Sequence, residues 1–232
     1  MAESKKFLTL RSIVLMVLIV LVAPFIPMII SGQWGWREAW AYAILSIFGF
    51  AVSRVLASRR HADLLVERSR SIELQGAKSW DKILAPALAI GSLLILVVAG
   101  MDKLNGWTMP YSMNAKVVSL IVIVLGYVLG SWALIENRFF SGVVRIQKDR
   151  DHRVVTTGPY RFIRHPGYAG ALWTYLAMPI LLDSVWAFIP AVLLLSVLVL
   201  RTSLEDRTLQ AELPGYAEYT HRTHYRLFPG IW

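Results

Sequence analysis

Residues 117–135, VVSLIVIVLGYVLGSWALI, run for 19 positions without one charged side chain. A helix crosses a bilayer core with about 20 mostly apolar residues, so this stretch alone is long enough to span. Uncharged runs also cover 12–36, 39–53, 83–101, 166–182 and 184–200, and with the first they hold nearly half of the 232 residues. Charged residues make up only 17% of the chain, against about 25% in soluble domains. Inside lipid every backbone polar group must find its partner within the protein, which makes spans of this composition helical. The sequence therefore predicts an all-α integral membrane protein with about six transmembrane segments. Residues 1–136 form an N-terminal transmembrane bundle, and residues 137–232 carry the polar motifs together with the last two apolar runs.

Charge gives the orientation. Of the 24 basic residues, all but Arg37, Lys103 and Lys116 fall before the first run or after the second, fourth and sixth. Basic residues collect on the cytoplasmic side, so both termini are expected there. The first run is too long for a signal peptide and lacks a small-residue cleavage site. Only Asp183 separates the last two runs, each about 17 residues long, with Pro179 and Pro190 flanking the bend. They read as a tight helical hairpin that leaves open whether both arms cross completely.

Several functional classes are disfavoured. A net charge of +9 reports topology in a membrane protein, so nucleic acid is not an expected partner; membrane lipids are. Cysteine is absent, which removes disulfides, thiolate metal sites and cysteine nucleophiles. His221 and His224 lie three apart but lack a third ligand, and no HExxH occurs; no metal is expected. Arg54, Glu136, Arg138, Asp183 and Arg201 sit at or near the ends of runs, whereas the charges of coupled transporters lie deep in spans.

The densest polar stretch, HRVVTTGPYRFIRHPGYAG at 152–170, leads directly into the fifth run. Pro166 suits a first helical turn and puts His165 at the N-cap. The positive dipole end there favours an anion, and Tyr160 and Tyr168 add rings that pack on a purine or attract a cation. The same residues also fit an interfacial belt holding a helix end at headgroup level. After the sixth run comes RTSLEDRTL at 201–209. Arg201 and Glu205, four apart, share one helical face. They form either a weak i,i+4 ion pair or two separate devices: a planar fork for an anion and a carboxylate for a cationic ligand, with Asp206 reinforcing the negative patch. Tyr216 and Tyr219 read as packing of an interfacial tail helix against the bilayer.

GPYRFIRHPGYAG, followed some thirty residues later by RTSLEDRTL and GYAEY, resembles the C-terminal half of the isoprenylcysteine carboxyl methyltransferase family and the related membrane phospholipid methyltransferases. The likeness covers residues 145–229. It implies an all-helical membrane bundle in which S-adenosyl-L-methionine lies in a cytoplasmic pocket between the loop and the tail, making 137–232 the cofactor-binding and catalytic region. Carried onto this sequence, the resemblance makes His152, Val154, Val155, Tyr160, His165, Pro166, Tyr168 and Glu205 cofactor contacts. Arg201 is the substrate-holding residue, and Arg201 and Glu205 form the catalytic pair. Asp206 stands where the family usually has a second glutamate, and Arg153 where it is often uncharged.

The expected activity is transfer of a methyl group from S-adenosylmethionine to a lipophilic acceptor, a prenylcysteine-like carboxylate or another lipid. Such chemistry is a displacement whose rate comes from orientation and desolvation, so it needs no protein nucleophile. The expected location is a prokaryotic inner membrane with the active site facing the cytoplasm. Two rivals share the sequence features: a membrane reductase using NADPH on sterol-like substrates, and a non-catalytic transporter or assembly protein.

Overall fold

A computed structural model describes residues 18–64, 67 and 76–232, and among these it is helical with no strand. Lys5, Lys6, Arg11, Arg68 and Arg70 of the charge pattern lie outside the described residues. The first described segment is a continuous turn of tightened and widened helix, Leu18–Val22 and Ala23–Phe25, leading into α1 (Ile26–Ser31). It is followed by α2 (Arg37–Arg60), α3 (Asp81–Asn105), α4 (Met113–Glu136), α5 (Pro166–Leu181), α6 (Phe188–Glu212) and a short α7 (Tyr216–Arg222).

Among the described residues four helices, α2, α3, α4 and α6, are long and apolar enough to cross a membrane. The fifth run forms a shorter helix, as does the described part of the first. α5 has 16 residues, about 24 Å at 1.5 Å per residue, less than the bilayer core. The hairpin is present, but its arms are unequal. The last run starts its helix at Phe188 and continues past the apolar residues to Glu212, so Arg201 and Glu205 lie on the same rod as the lipid-facing positions. The bend is made at Asp183, which takes a left-handed backbone (φ 50°).

The helix surfaces invert the pattern of a soluble protein. On α4, Val118, Ile121, Leu125 and Val128 recur along one face and are more than half exposed or close to it, while Ser119, Ile123 and Gly126 are buried. Apolar side chains gain nothing by leaving lipid, so helix association relies on close packing and small residues. α4 and α5 meet in this way. A Cβ at Gly170 would lie 2.4 Å from the Gly126 carbonyl oxygen and 3.0 Å from the Gly130 nitrogen, so the two backbones touch across the GYVLG of α4. The core behind this contact is built from Met28, Ile95, Ile123, Met178, Leu181 and Leu194.

At the end of the bundle opposite the long loop, polar groups close the seams. Lys116 donates to Glu38 (2.7 Å) and Asp183 (2.6 Å), and Asp102 accepts from the Thr108 and Ser184 hydroxyls (both 2.6 Å). All three exceptional basic residues, Arg37, Lys103 and Lys116, are at this end, with Lys103 over the Trp36 ring at 5.0 Å. At the other end residues 137–165 fold over α4 and against the tail.

Candidate functional site

Residues 137–165 contain little regular structure, so side chains fix their course. Arg145 donates to both oxygens of Glu67 (2.9 and 2.6 Å). Gln147 Nε2 donates to the Phe139 carbonyl (2.7 Å). His152 stacks on Phe139 with centroids 4.6 Å apart, and its Nδ1 accepts from the Gln147 N–H (3.3 Å). Burial, with Arg145 and Arg150 nearby, lowers the His152 imidazole to about 4. It is neutral at physiological pH.

The loop closes on the tail. The N–H groups of Arg164 and His165 donate to the carbonyls of Tyr225 and Arg226 (both 2.9 Å). Tyr219 donates to the Tyr160 carbonyl (2.6 Å), and burial pushes its phenol up to about 12. Tyr216 donates to Asp206 (3.1 Å). Both tyrosines of α7 are buried, so they pack into the protein and not against the bilayer as the sequence suggested. Their hydroxyls find protein acceptors that a lipid surface would not provide.

Between loop and tail lies a cavity of about 100 Å³. Seven residues named from the sequence line it together: His152, Val154, Val155, Tyr160, His165, Tyr168 and Glu205. Pro166 and Arg201 are not in its lining. Pro166 starts α5, and Arg201 stands behind Tyr168.

The Arg201 guanidinium is almost fully buried and its fork is closed on Asp81, with Nε to Oδ1 at 2.6 Å and Nη2 to Oδ2 at 3.0 Å. Nη2 also donates to the Gly142 carbonyl (2.9 Å) and Nη1 to the Tyr168 hydroxyl (2.6 Å). Tyr168 in turn donates to Glu205 (2.5 Å). Arg201 and Glu205 are thus bridged by a tyrosine, and no direct i,i+4 ion pair joins them. Glu205 has no ion pair among the described residues and presents its carboxylate to the cavity.

Asp206 does not reinforce that carboxylate. Successive helical residues point about 100° apart, so neighbours in sequence do not share a face. Asp206 is fully buried and holds Arg164 (2.8 and 2.9 Å), Arg226 (2.9 Å) and Gln210 (2.9 Å). His165 Nε2 lies 3.3 Å from it. The residue is the hub that ties tail to loop.

Sequence reading missed Asp81 for a physical reason. It lies 120 residues from Arg201 and carries no local sign of its partner, although a carboxylate opening an apolar run is a recognisable helix start. No group of three His, Asp or Glu side chains suited to a metal occurs among the described residues.

A second cavity of about 380 Å³ lies among the helices, lined from α2 by Tyr42 and Ser46, from α4 by Gly126, Tyr127 and Gly130, and from α5 by Gly170, Thr174 and Tyr175.

The chain is similar to known proteins in sequence and in fold. Residues 118–211 match the model of the isoprenylcysteine carboxyl methyltransferase family, so the match begins within α4, upstream of the motif region, and ends before α7. A probable protein-S-isoprenylcysteine O-methyltransferase of Oryza sativa subsp. indica is 27% identical over 136 residues, 58% of this chain and 65% of the rice protein. The protein-S-isoprenylcysteine O-methyltransferase of Saccharomyces cerevisiae is 31% identical over 101 residues, 42% of this chain and 40% of the yeast protein. The match therefore spans just under two thirds of the rice relative and less of the yeast one. These relatives are eukaryotic and lend no support to the expectation of a prokaryotic membrane. The solved structure of a eukaryotic intramembrane Ras methyltransferase, isoprenylcysteine carboxyl methyltransferase, superposes with a TM-score of 0.50 at 20% identity, covering 97% of this chain and 88% of that one. By sequence in its C-terminal region and by fold over nearly its whole length, the chain is similar to the isoprenylcysteine carboxyl methyltransferases.

Proposed function

We propose that the chain is an integral-membrane methyltransferase that takes its methyl group from S-adenosylmethionine, binds it in the chamber between loop and tail, and acts on a lipophilic acceptor of the prenylcysteine type or another lipid. The observation that carries this reading is the state of Glu205. Its carboxylate lacks an ion-pair partner among the described residues and is held by Tyr168 toward a chamber whose buried lining cation, Arg164, is neutralised by Asp206, as Arg201 behind Tyr168 is by Asp81. A carboxylate left in this way suits a cationic ligand. His152 in the same lining is neutral, and the first turn of α5, where Gly167 lines the chamber, favours an anionic end of the same molecule. S-adenosylmethionine, when bound, supplies an electrophilic methyl on a sulfonium.

The chain's own groups bind and orient. Tyr168 fixes Glu205 and is itself fixed by Arg201, while Asp206 locks the tail that forms the chamber's far wall. Enclosure between loop and tail excludes water and strengthens the charge contacts inside. An apolar acceptor reaches the site through the cavity among α2, α4 and α5, which lies within the span-forming helices. Incubation with S-adenosylmethionine labelled in its methyl group and a farnesylcysteine analogue tests the reading. Label is expected in the lipid-soluble fraction, and a panel of prenylcysteine and lipid acceptors that all remain unlabelled would remove the proposed activity.

The charge bias supports a chamber on the cytoplasmic side. Thr156 is exposed on the loop, and the chain has no cysteine of its own. A Thr156→Cys variant is expected to resist an impermeant thiol reagent in intact cells and to react once the membrane is opened. Labelling of intact cells would reverse the orientation.

A further inference from the structure

The two cavities share two lining residues, Phe140 and Gly167. Gly167 is the second residue of α5, and a Cβ built on it would come within 2.8 Å of both Cε2 and Cζ of Phe140. The aromatic ring therefore rests against the helix backbone at the one place where both chambers are lined by the same groups. Phe140 follows α4 on the loop, and its other side packs on the small cluster of Ala57, Leu64 and Leu134. From this point Gly167, Gly170 and Thr174 succeed one another along one face of α5 and all line the helix chamber. Their spacing of three and four residues makes a low track leading to the ring.

We propose that Phe140 is the divider between the chambers and that its bulk decides which acceptors reach the methyl donor. The inference rests on the reading of the loop chamber as donor site and the helix chamber as acceptor site. Gly167 sets no side chain against the ring on that wall, so the bulk at position 140 sets the width of the passage. An acceptor advancing along α5 must pass or displace the ring to bring its reacting atom to the donor. Phe140 is thus a positioning and specificity residue and takes no part in bond making.

The test uses the full chain in detergent and the absence of native cysteine. A Thr174→Cys variant places one thiol in the helix chamber, two turns beyond Gly167, where a charged, water-soluble thiol reagent arrives through the loop chamber because the micelle covers the apolar surface. Its modification rate is measured with Phe140 intact and with Phe140→Trp, Phe140→Leu and Phe140→Ala. The rate is expected to rise in the order Trp, Phe, Leu, Ala, with alanine about tenfold faster than phenylalanine. A misfolded variant would depart from that order. Equal rates in all four backgrounds overturn the divider.

The same four proteins are then offered prenylcysteine acceptors of graded bulk with labelled S-adenosylmethionine. The ratio of kcat/KM for bulky over slim acceptors is expected to shift about tenfold toward the bulky ones in Phe140→Ala and the opposite way in Phe140→Trp. If the thiol rates follow side-chain size while no acceptor is methylated, the divider stands and the methyl-transfer reading falls. If acceptors are methylated while the thiol rates are equal, the reading stands and the divider falls.

Discussion

Asp81→Asn is expected to lower the thermal midpoint of the detergent-solubilised protein by on the order of 10 °C and to abolish most of its activity. Asp81 receives two hydrogen bonds from Arg201 and one from the Val144 N–H (2.6 Å), and both side chains of the pair are buried. Removing one member of a buried ion pair strands the other charge, at about 3–5 kcal/mol, and each kcal/mol shifts the midpoint of a domain of this size by roughly 2–4 °C. The loss of activity follows through Tyr168, because Arg201 released from Asp81 no longer holds the hydroxyl that fixes Glu205. The double replacement Asp81→Leu with Arg201→Leu removes both charges and is expected to recover much of the midpoint without recovering activity. A differential scanning experiment giving Asp81→Asn a wild-type midpoint would show that this pair does not hold α3 to α6.

Glu205→Gln should weaken binding of S-adenosylmethionine by about ten- to a hundredfold. A charge-assisted contact contributes about 1.5–3 kcal/mol, and each 1.4 kcal/mol is tenfold in affinity. Glutamine keeps an acceptor for the Tyr168 hydroxyl, so the local fold is retained and the midpoint changes little. Arg201→Lys keeps a charge but loses the planar fork that grips Asp81 and Tyr168 at once. It is expected to reduce turnover and the midpoint while changing cofactor affinity less than Glu205→Gln does. Calorimetry on both variants, beside kinetics with each substrate varied separately, separates these roles. Equal and small effects of both changes would mean that the two residues only pack.

The contrast between these residues shows what was legible in the sequence. The bounds of α3 and α4 follow closely from the uncharged runs, because charge is expelled from spans and returns at their ends. The start of α5 at Pro166 was readable for the same kind of local reason, a proline tolerated only in a first turn. The length of α6 was not. Its charged residues from Arg201 onward look like a cytoplasmic tail, yet the helix continues because Asp81, Tyr168 and Arg164 on other elements satisfy those charges.

Site residues divided in the same way. His152, Tyr160, His165, Tyr168 and Glu205 were implied by the family resemblance of their motifs and converge on one cavity. Asp206 was placed beside Glu205 by chain adjacency and faces elsewhere by helical rotation. The closeness of Gly126 and Gly170 was not read from the sequence. The small-residue pair in GYVLG is a signal for a contact face, but only three-dimensional packing says which helix lies on it.

Titration of the purified protein with S-adenosylmethionine and, separately, with NADPH tests the assignment of the loop chamber most directly. The expected result is saturable, one-to-one binding of S-adenosylmethionine, weakened in Glu205→Gln, with no heat from NADPH. Binding of NADPH in the absence of any affinity for S-adenosylmethionine would contradict it.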